Sequence, residues 1–389
     1  MRDTERIRKL PSYALGRVRA QMKEERAKGA DVIDLGMGNP DGPTPPHIVN
    51  KLKEVINDRK THRYSVSRGL PNLRKAIAQR YAEDLGVELD PEREAIAVIG
   101  AKEGIAHLAL ALLDDGDYAL VPTPTYPIHM YSVVIAGGRM INVPLTKEEG
   151  FVLNLDRASK LAGKKKPKIM IISYPQNPTT ATVDLPFFEK VVAFAKAHKI
   201  IVVHDFAYKD STFDDYKAPS FLQAKGAKDV GVELFSLSKS YNMPGWRVGF
   251  VLGNAKVVEN LAKLKSYTDY GIFTPIQVAA ITALKSDQAC KGEIMRIYQN
   301  RRDCLIDGLA KAGWKIEKPS ATMFVWAQLP EKYKQMTSMD FSMMLMKKAA
   351  VAVAPGTGFG DSGEGFVRFA LVENENRIKQ ALRSIKKIL

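Results

Sequence analysis

From Ala95 onward, short apolar runs alternate with segments whose apolar residues recur at helical spacing. The runs are AIAVIG, DYALVPTP, RMINVPL, KIMIIS, KIIVVHD, ELFSLS and RVGFVLG. Runs that are apolar at nearly every position suit strands buried on both faces, and helical segments near Lys102 to Leu113, Ile128 to Ala136, Pro186 to His198 and Asn254 to Tyr267 supply the covering layers. The alternation predicts a three-layer α/β/α large domain with a mostly parallel sheet.

The flanking thirds read differently. LGRVRAQMKEERAKGA forms an amphipathic helix ending at Gly29, and IDLGMGNPDGPTPP a short strand and a Gly/Pro-rich loop. Its glycines serve either a plain turn or the close approach of backbone to a ligand. Pro45 and Pro46 open a helix through about Arg59, and a further helix spans about Pro71 to Leu85. Downstream, one long helix is expected from about Pro275 to Ala312. KIEKPSATMFVWAQL follows, then a helix near Phe341 to Ala349, VAVAPGTGFG, the strand GFVRFALV and a last helix from Asn374 to Leu389. Helices gathered against a small sheet describe an α+β domain. The expected division is residues 1–44 as an arm and part of the small domain, 45–285 as the large domain, and 286–389 as the C-terminal small domain.

Charge changes this picture little. Lys plus Arg number 58 against 43 Asp plus Glu, a net +15. The cations are dispersed, GKKKPK being the densest stretch, and no helix-turn-helix or aromatic stacking motif accompanies them. No nucleic-acid role is expected. No apolar run approaches the roughly 18 residues of a membrane span, and MRDTERIRKL is charged where a signal peptide has its apolar core, so a soluble, cytoplasmic chain without membrane partners is expected. Cys290 and Cys304 form no C-x-x-C and no His cluster accompanies them, so no disulfide framework and no metal site is expected.

Candidate chemistry collects at the carboxyl ends of the strands, where open α/β sheets bind ligands. ELFSLS ends on Ser236, Ser238 and Lys239, with Arg247 downstream; alone, these read equally as a solvated loop lysine and a surface arginine. Gly100, Ala101 and Lys102 open a helix and form either a phosphate cradle through backbone amides or a structural glycine turn. Tyr126, Asn177, Asp205 and Tyr208 follow other strands. A phosphorylated aromatic aldehyde uses all of them. Lys239 condenses with the aldehyde once burial or positive charge lowers its pKa. Tyr126 stacks on the ring, and Asn177 and Tyr208 hydrogen-bond its phenolate. Asp205 keeps the ring nitrogen protonated, which makes the ring an electron sink. Ser236, Arg247 and the amides around Ala101 and Lys102 take the phosphate. This is pyridoxal phosphate (PLP) chemistry. Arg368, on FVRFAL, either clamps a substrate carboxylate or pairs with Glu364 or Glu373.

S-x-S-K-S-Y-N-M-P-G-W-R-V-G resembles the lysine segment of class I/II aminotransferases of PLP-dependent transferase fold type I. MGNPDGPTPPHIV, SRGLPNLRKAI, TPTYPIH, YPQNPT, HDFAY, DYGIFTPIQVAA and VRFALVENENRI extend the likeness over nearly the whole chain. Bacterial glutamate–pyruvate (alanine) transaminases are the nearest in kind, particularly in HDFAYKDSTFDDYKAPSFLQAKGAKDV.

The resemblance implies a homodimer with shared active sites, a reach of Tyr64 to the neighbour's phosphate, an approach of Thr274 to the neighbour's cofactor, and Gly38 on the substrate carboxylate site. By family position Tyr13, His129 and Asp269 are either pocket residues or packing residues. In the family the cradle turn often carries Ser or Thr where this chain has Ala101. The implied reaction is ping-pong transfer of an amino group between an L-amino acid and a 2-oxo acid, with Lys239 as the acid–base. Alanine with 2-oxoglutarate is the expected pair; aspartate, LL-diaminopimelate and methionine are alternatives, as are a PLP-dependent lyase or synthase and a ligand-sensing regulator. The arm before Gly36 is short for a DNA-binding domain, which counts against the last.

Overall fold

The computed structural model describes residues 3–11 and 14–389. After the helix Ala14–Ala27 the chain forms β1 (Ile33–Asp34) and then seven strands: β2 (Ala95–Val98), β3 (Tyr118–Thr123), β4 (Arg139–Pro144), β5 (Ile169–Ser173), β6 (Ile201–Asp205), β7 (Gly231–Ser236) and β8 (Gly249–Gly253). Their order in one sheet is β2-β8-β7-β6-β5-β3-β4. Only β8 runs against its neighbours. Each predicted run became a strand of this sheet.

Both faces are covered, as uniform apolarity requires. Met170 and Ile172 of β5 face one core with Phe188, Val191 and Phe221, while Ile169 and Ile171 face the other with Ile105, Leu108 and Val133. The period of two along every strand divides the apolar residues between two helical layers. The result is the three-layer α/β/α arrangement that the alternation of runs predicts.

A second, smaller lobe has its own core and sheet. Its strands are β9 (Phe324–Gln328), β10 (Val351–Ala352), β11 (Ala354–Pro355) and β12 (Phe366–Ala370), in the antiparallel order β11-β12-β9, while β10 pairs with β1. Trp314, Phe341, Leu345, Phe369 and Ile378 fill the space between this sheet and its helices.

Two helix expectations need correction. The long helix is two, Thr274–Lys285 and Ala289–Lys311, parted at residues 286–288. The backbone amide of Ser286 closes the first helix on Thr282 O, and Gln288 Nε2 then donates to Ala283 O and Ser286 O. A side chain thus satisfies carbonyls that a continuous helix would have used. The helix opened by the proline pair ends at Val55, not Arg59, which begins a separate 3₁₀ turn to His62. No helix among the described residues is long and apolar enough to cross a membrane.

Candidate active site

A cavity of about 330 Å³ lies beyond the carboxyl ends of β5, β6 and β7 and is closed on one side by Phe324 and Arg368 of the smaller lobe. Lys239 sits on the short helix Leu237–Ser240, capped where Ser236 Oγ accepts from Ser238 N–H at 3.2 Å. Its Nζ donates to Gly38 O at 3.0 Å. Burial, then the positive charges of Arg368 and Arg247, push its pKa down to about 7. Lys239 is therefore not a solvated lysine. Near neutral pH a substantial share of its amine is unprotonated, the state a nucleophile needs.

Asp205 ends β6 and is 5% exposed. One carboxylate oxygen meets His129 Nε2 at 2.9 Å, and His129 Nδ1 meets Thr125 Oγ1 at 2.7 Å. The other oxygen accepts from Ala207 N–H at 3.1 Å. His129 lies behind the carboxylate and does not line the cavity, so packing, not the pocket, is its place. A buried charge needs partners, and this chain of contacts supplies them.

At one end of the cavity, Arg247 has a left-handed backbone (φ 57°) and its Nη1 donates to Pro244 O at 2.9 Å. Gly100 has φ 78°, and a Cβ there would lie 2.4 Å from Arg247 Nη2. The helix Ala101–Leu112 starts at this point, so its unsatisfied first amides, the Arg247 guanidinium and the Ser236 and Ser238 hydroxyls converge. Gly249 fits here because a Cβ would stand 2.9 Å from Ala101 N.

At the other end, Arg368 is 3% exposed. Its Nη1 donates to Asn177 Oδ1 at 2.7 Å and its Nη2 to Gly36 O at 3.0 Å. The guanidinium carbon lies 4.0 Å from the Phe324 ring centroid and 4.6 Å from that of Phe359. Glu364 instead accepts from Ser338 N–H and Gly365 N–H, so the surface ion pair with it that the sequence allowed is not formed. Asn177 Nδ2 stands 3.5 Å from Tyr208 Oη, whose pKa burial drives well above the usual phenol range. Gly38 has no room for a side chain: a Cβ would be 2.5 Å from Phe324 Cε1.

The cavity thus gathers Gly38, Ala101, Lys102, Tyr126, Asn177, Asp205, Tyr208, Ser236, Ser238, Lys239, Arg247 and Arg368. Gly100 stands at its edge, against Arg247. It does not gather Tyr64, which is 86% exposed and tilted against Tyr270 at 4.7 Å. Thr274 begins its helix outside the cavity. Asp269 is also outside and packs instead: it accepts from the fully buried Lys265 at 2.9 Å. Glu103, His107 and Asp269 have ligand atoms close enough for a cation, but Lys265 Nζ already bonds Glu103 at 3.0 Å and Asp269. Tyr13 lies outside the described residues.

Leu15, Met37, Asn39, Ser173, Ala207, Pro244 and Phe324 line the cavity without having been singled out. Asn39 and Met37 flank Gly38 in a loop whose glycines drew the attention. No local signal marks Phe324: it reaches the site because β9 pairs with β12 in the register that sets Arg368 opposite Trp326.

The family profile described as Aminotransferase class I and II matches residues 30–385. The chain is 54% identical over 382 residues, 98% of its length and 92% of the relative's, to the glutamate-pyruvate aminotransferase AlaC of Escherichia coli. It is 45% identical over 389 residues, 100% of its length and 99% of the relative's, to the LL-diaminopimelate aminotransferase of Moorella thermoacetica. The substrate-bound structure of BacF from Bacillus subtilis superposes with a TM-score of 0.94 at 38% identity, covering 100% of this chain and 98% of that one.

Proposed function

The chain belongs to the class I and II aminotransferases, PLP-dependent transferases, and from that premise we propose that it moves the amino group of L-alanine to 2-oxoglutarate, giving pyruvate and glutamate. The observation that carries the site assignment is Lys239, a half-buried amine that lines one cavity with Arg247 and Arg368 and whose pKa desolvation and their two charges push down to about 7.

The residues present fit the cofactor. Arg247, Ser236, Ser238 and the amides of Ala101 and Lys102 would hold its phosphate, and the space that a Cβ at Gly100 would fill is taken by Arg247. Tyr126 would cover the ring, Asn177 and Tyr208 would bond its phenolate oxygen, and Asp205, braced by His129, would hold the proton on its nitrogen. Bound there, PLP supplies the electron sink that stabilises a carbanion at the substrate's α-carbon.

Arg368, in the place of the substrate carboxylate together with Gly38, would fix the amino acid so that its α-hydrogen faces Lys239. Lys239, whose amine is in part unprotonated near pH 7, would take that proton and hold it, a general acid–base role. Tyr208 stays protonated and donates, because burial holds its phenol neutral. The exposed aromatic surface of Tyr64, Tyr267 and Tyr270 supports a homodimer in which Tyr64 serves the neighbouring site.

The substrate pair rests on two supports. Leu15 and Met37 suit a methyl side chain, and the 54% relative is named for glutamate and pyruvate. A distal carboxylate, present in glutamate and absent in alanine, needs a cation beyond Arg247 and Arg368. Lys102 is exposed at the cavity wall and is the cation we assign to it. The test mixes cofactor-loaded protein with single amino acids and no oxo acid, following the cofactor's visible absorbance. Alanine and glutamate are expected to convert it rapidly, with aspartate, methionine and diaminopimelate slow; fast conversion by diaminopimelate and slow by alanine would reassign the substrate. Lys102→Ala is expected to raise KM for glutamate about tenfold and leave that for alanine within about twofold.

A further inference from the structure

The segment from Gly36 to Thr44 crosses the cavity as a strap between the lobes. Upstream it belongs to the smaller lobe, where β1 pairs with β10 and Ala370 N–H donates to Leu35 O at 2.7 Å. Downstream it joins the large domain, where Thr44 Oγ1 donates to Asn242 O at 2.7 Å, three residues beyond Lys239. Between these anchors Met37, Gly38 and Asn39 line the cavity, and Gly38 O accepts from Lys239. Within the strap Gly36 O accepts from Arg368 and Gly38 O from Lys239, and one further side chain ties the stretch beyond them to the smaller lobe.

That side chain is Asp41. Its two carboxylate oxygens accept from Arg301 Nη1 at 2.7 Å and Nη2 at 2.8 Å, the parallel fork that makes guanidinium–carboxylate pairs directional. Arg301 is 7% exposed, on the helix Ala289–Lys311, and its Nη1 also donates to Leu371 O at 3.0 Å, three residues past Arg368. One buried guanidinium thus ties the strap to the end of β12, which carries Arg368. Neither Asp41 nor Arg301 lines the cavity.

We propose that Arg301 and Asp41 are a positioning pair that holds the strap, and through it Gly38 and Asn39, in register with Arg368 for binding the substrate's carboxylate. The inference rests on the reading of Arg368 and Gly38 as the carboxylate site. Without the fork the strap keeps its ends and its bonds to Arg368 and Lys239 but loses its tie to the helix Ala289–Lys311, so affinity for any amino acid falls more than turnover does. A pair that only stabilised the fold would lower thermal stability and leave affinity alone.

The experiment uses cofactor-saturated Asp41→Asn, Arg301→Lys and the double variant, with KM and kcat for alanine and glutamate, thermal midpoints, and propionate binding by calorimetry as a readout free of turnover. Asp41 is partly exposed, so Asp41→Asn leaves the core intact. The expected result is an approximately tenfold rise in KM for both amino acids and in the propionate Kd, with kcat within about threefold, and a double variant no worse than the poorer single. Thermal midpoints that fall with KM and propionate binding unchanged would overturn the pair, as would two single effects that add in full. Propionate binding that survives Arg368→Ala breaks the underlying reading of the carboxylate site. Binding lost in Arg368→Ala but kept in Asp41→Asn breaks the positioning role alone.

Discussion

The two arginine ends of the cavity are built in opposite ways. Arg247 is exposed, stands on the large domain, and is held by backbone carbonyls and by the missing Cβ of Gly100. Arg368 is buried, comes from the smaller lobe, and reaches across to Asn177 of the large domain and Gly36 of the strap. Within this chain the first end is drawn from one domain; the second exists only while two lobes and the strap keep their relation. A cofactor that stays bound can use the first, and a substrate that enters and leaves every cycle can use the second, because only that end is shared between the two lobes.

The contrast is broken most severely at Arg368. Arg368→Ala is expected to lower kcat/KM about 100-fold for every amino acid, since removing a buried charged donor also strands its partners, while cofactor retention on gel filtration stays at the wild-type level. Arg247→Ala is expected to do the reverse: cofactor Kd weakens about 30-fold, and KM measured at saturating cofactor moves little, as suits the loss of one charge-assisted contact in an exposed position. If both variants lose cofactor and substrate affinity together, the two ends are not separable and the comparison fails. Gly38→Ala sharpens the same point with a smaller effect. Its new methyl would stand 2.5 Å from Phe324, whose ring supports Arg368, so KM is expected to rise about tenfold through displacement of the smaller lobe's face. An unchanged KM would mean that Phe324 yields without moving Arg368.

The sequence made one end far more legible than the other. Gly100 to Lys102, Ser236, Ser238 and Arg247 lie at the ends of apolar runs whose strand character is plain, and a parallel sheet brings such ends together wherever the strands sit. Asp205 and Asn177 were legible for the same reason. The Arg368 end depends on register in a small antiparallel sheet and on contacts between segments more than 300 residues apart, as from Gly36 to Arg368. Hence Phe324 and the Asp41–Arg301 fork went unread, while His129 and Asp269, placed by family position, proved to be a brace behind Asp205 and a partner of Lys265. The split of the expected long helix at residues 286–288 is of the same kind. Apolar spacing on both sides favours helix, and the interruption is marked by short-range side-chain bonds, Gln288 to Ala283 O and Ser286 O and Ala289 N–H to Asp287 Oδ1.

Lys239 lies between the two ends and responds to both, which gives the smallest and most discriminating test. Its amine is protonated below about pH 7 and free above it in the folded chain, whereas an unfolded lysine keeps its proton to about pH 10.4. Trapping of Lys239 in cofactor-free protein by a plain aldehyde and borohydride is therefore expected to rise through a midpoint near pH 7. By linkage the unfolded state binds more protons between these two pKa values, so stability rises with pH across that window. Lys239→Met removes this dependence, and the variant is expected to exceed the wild type in thermal midpoint at pH 6, by a margin that closes as pH approaches 10. Burial is the largest cause of the depression, then Arg368, then Arg247. Arg368→Gln should move the trapping midpoint upward, and Arg247→Ala should move it upward by less. Equal shifts would mean that the exposed arginine acts on the amine as strongly as the buried one, and that the two ends, though built differently, are electrostatically alike.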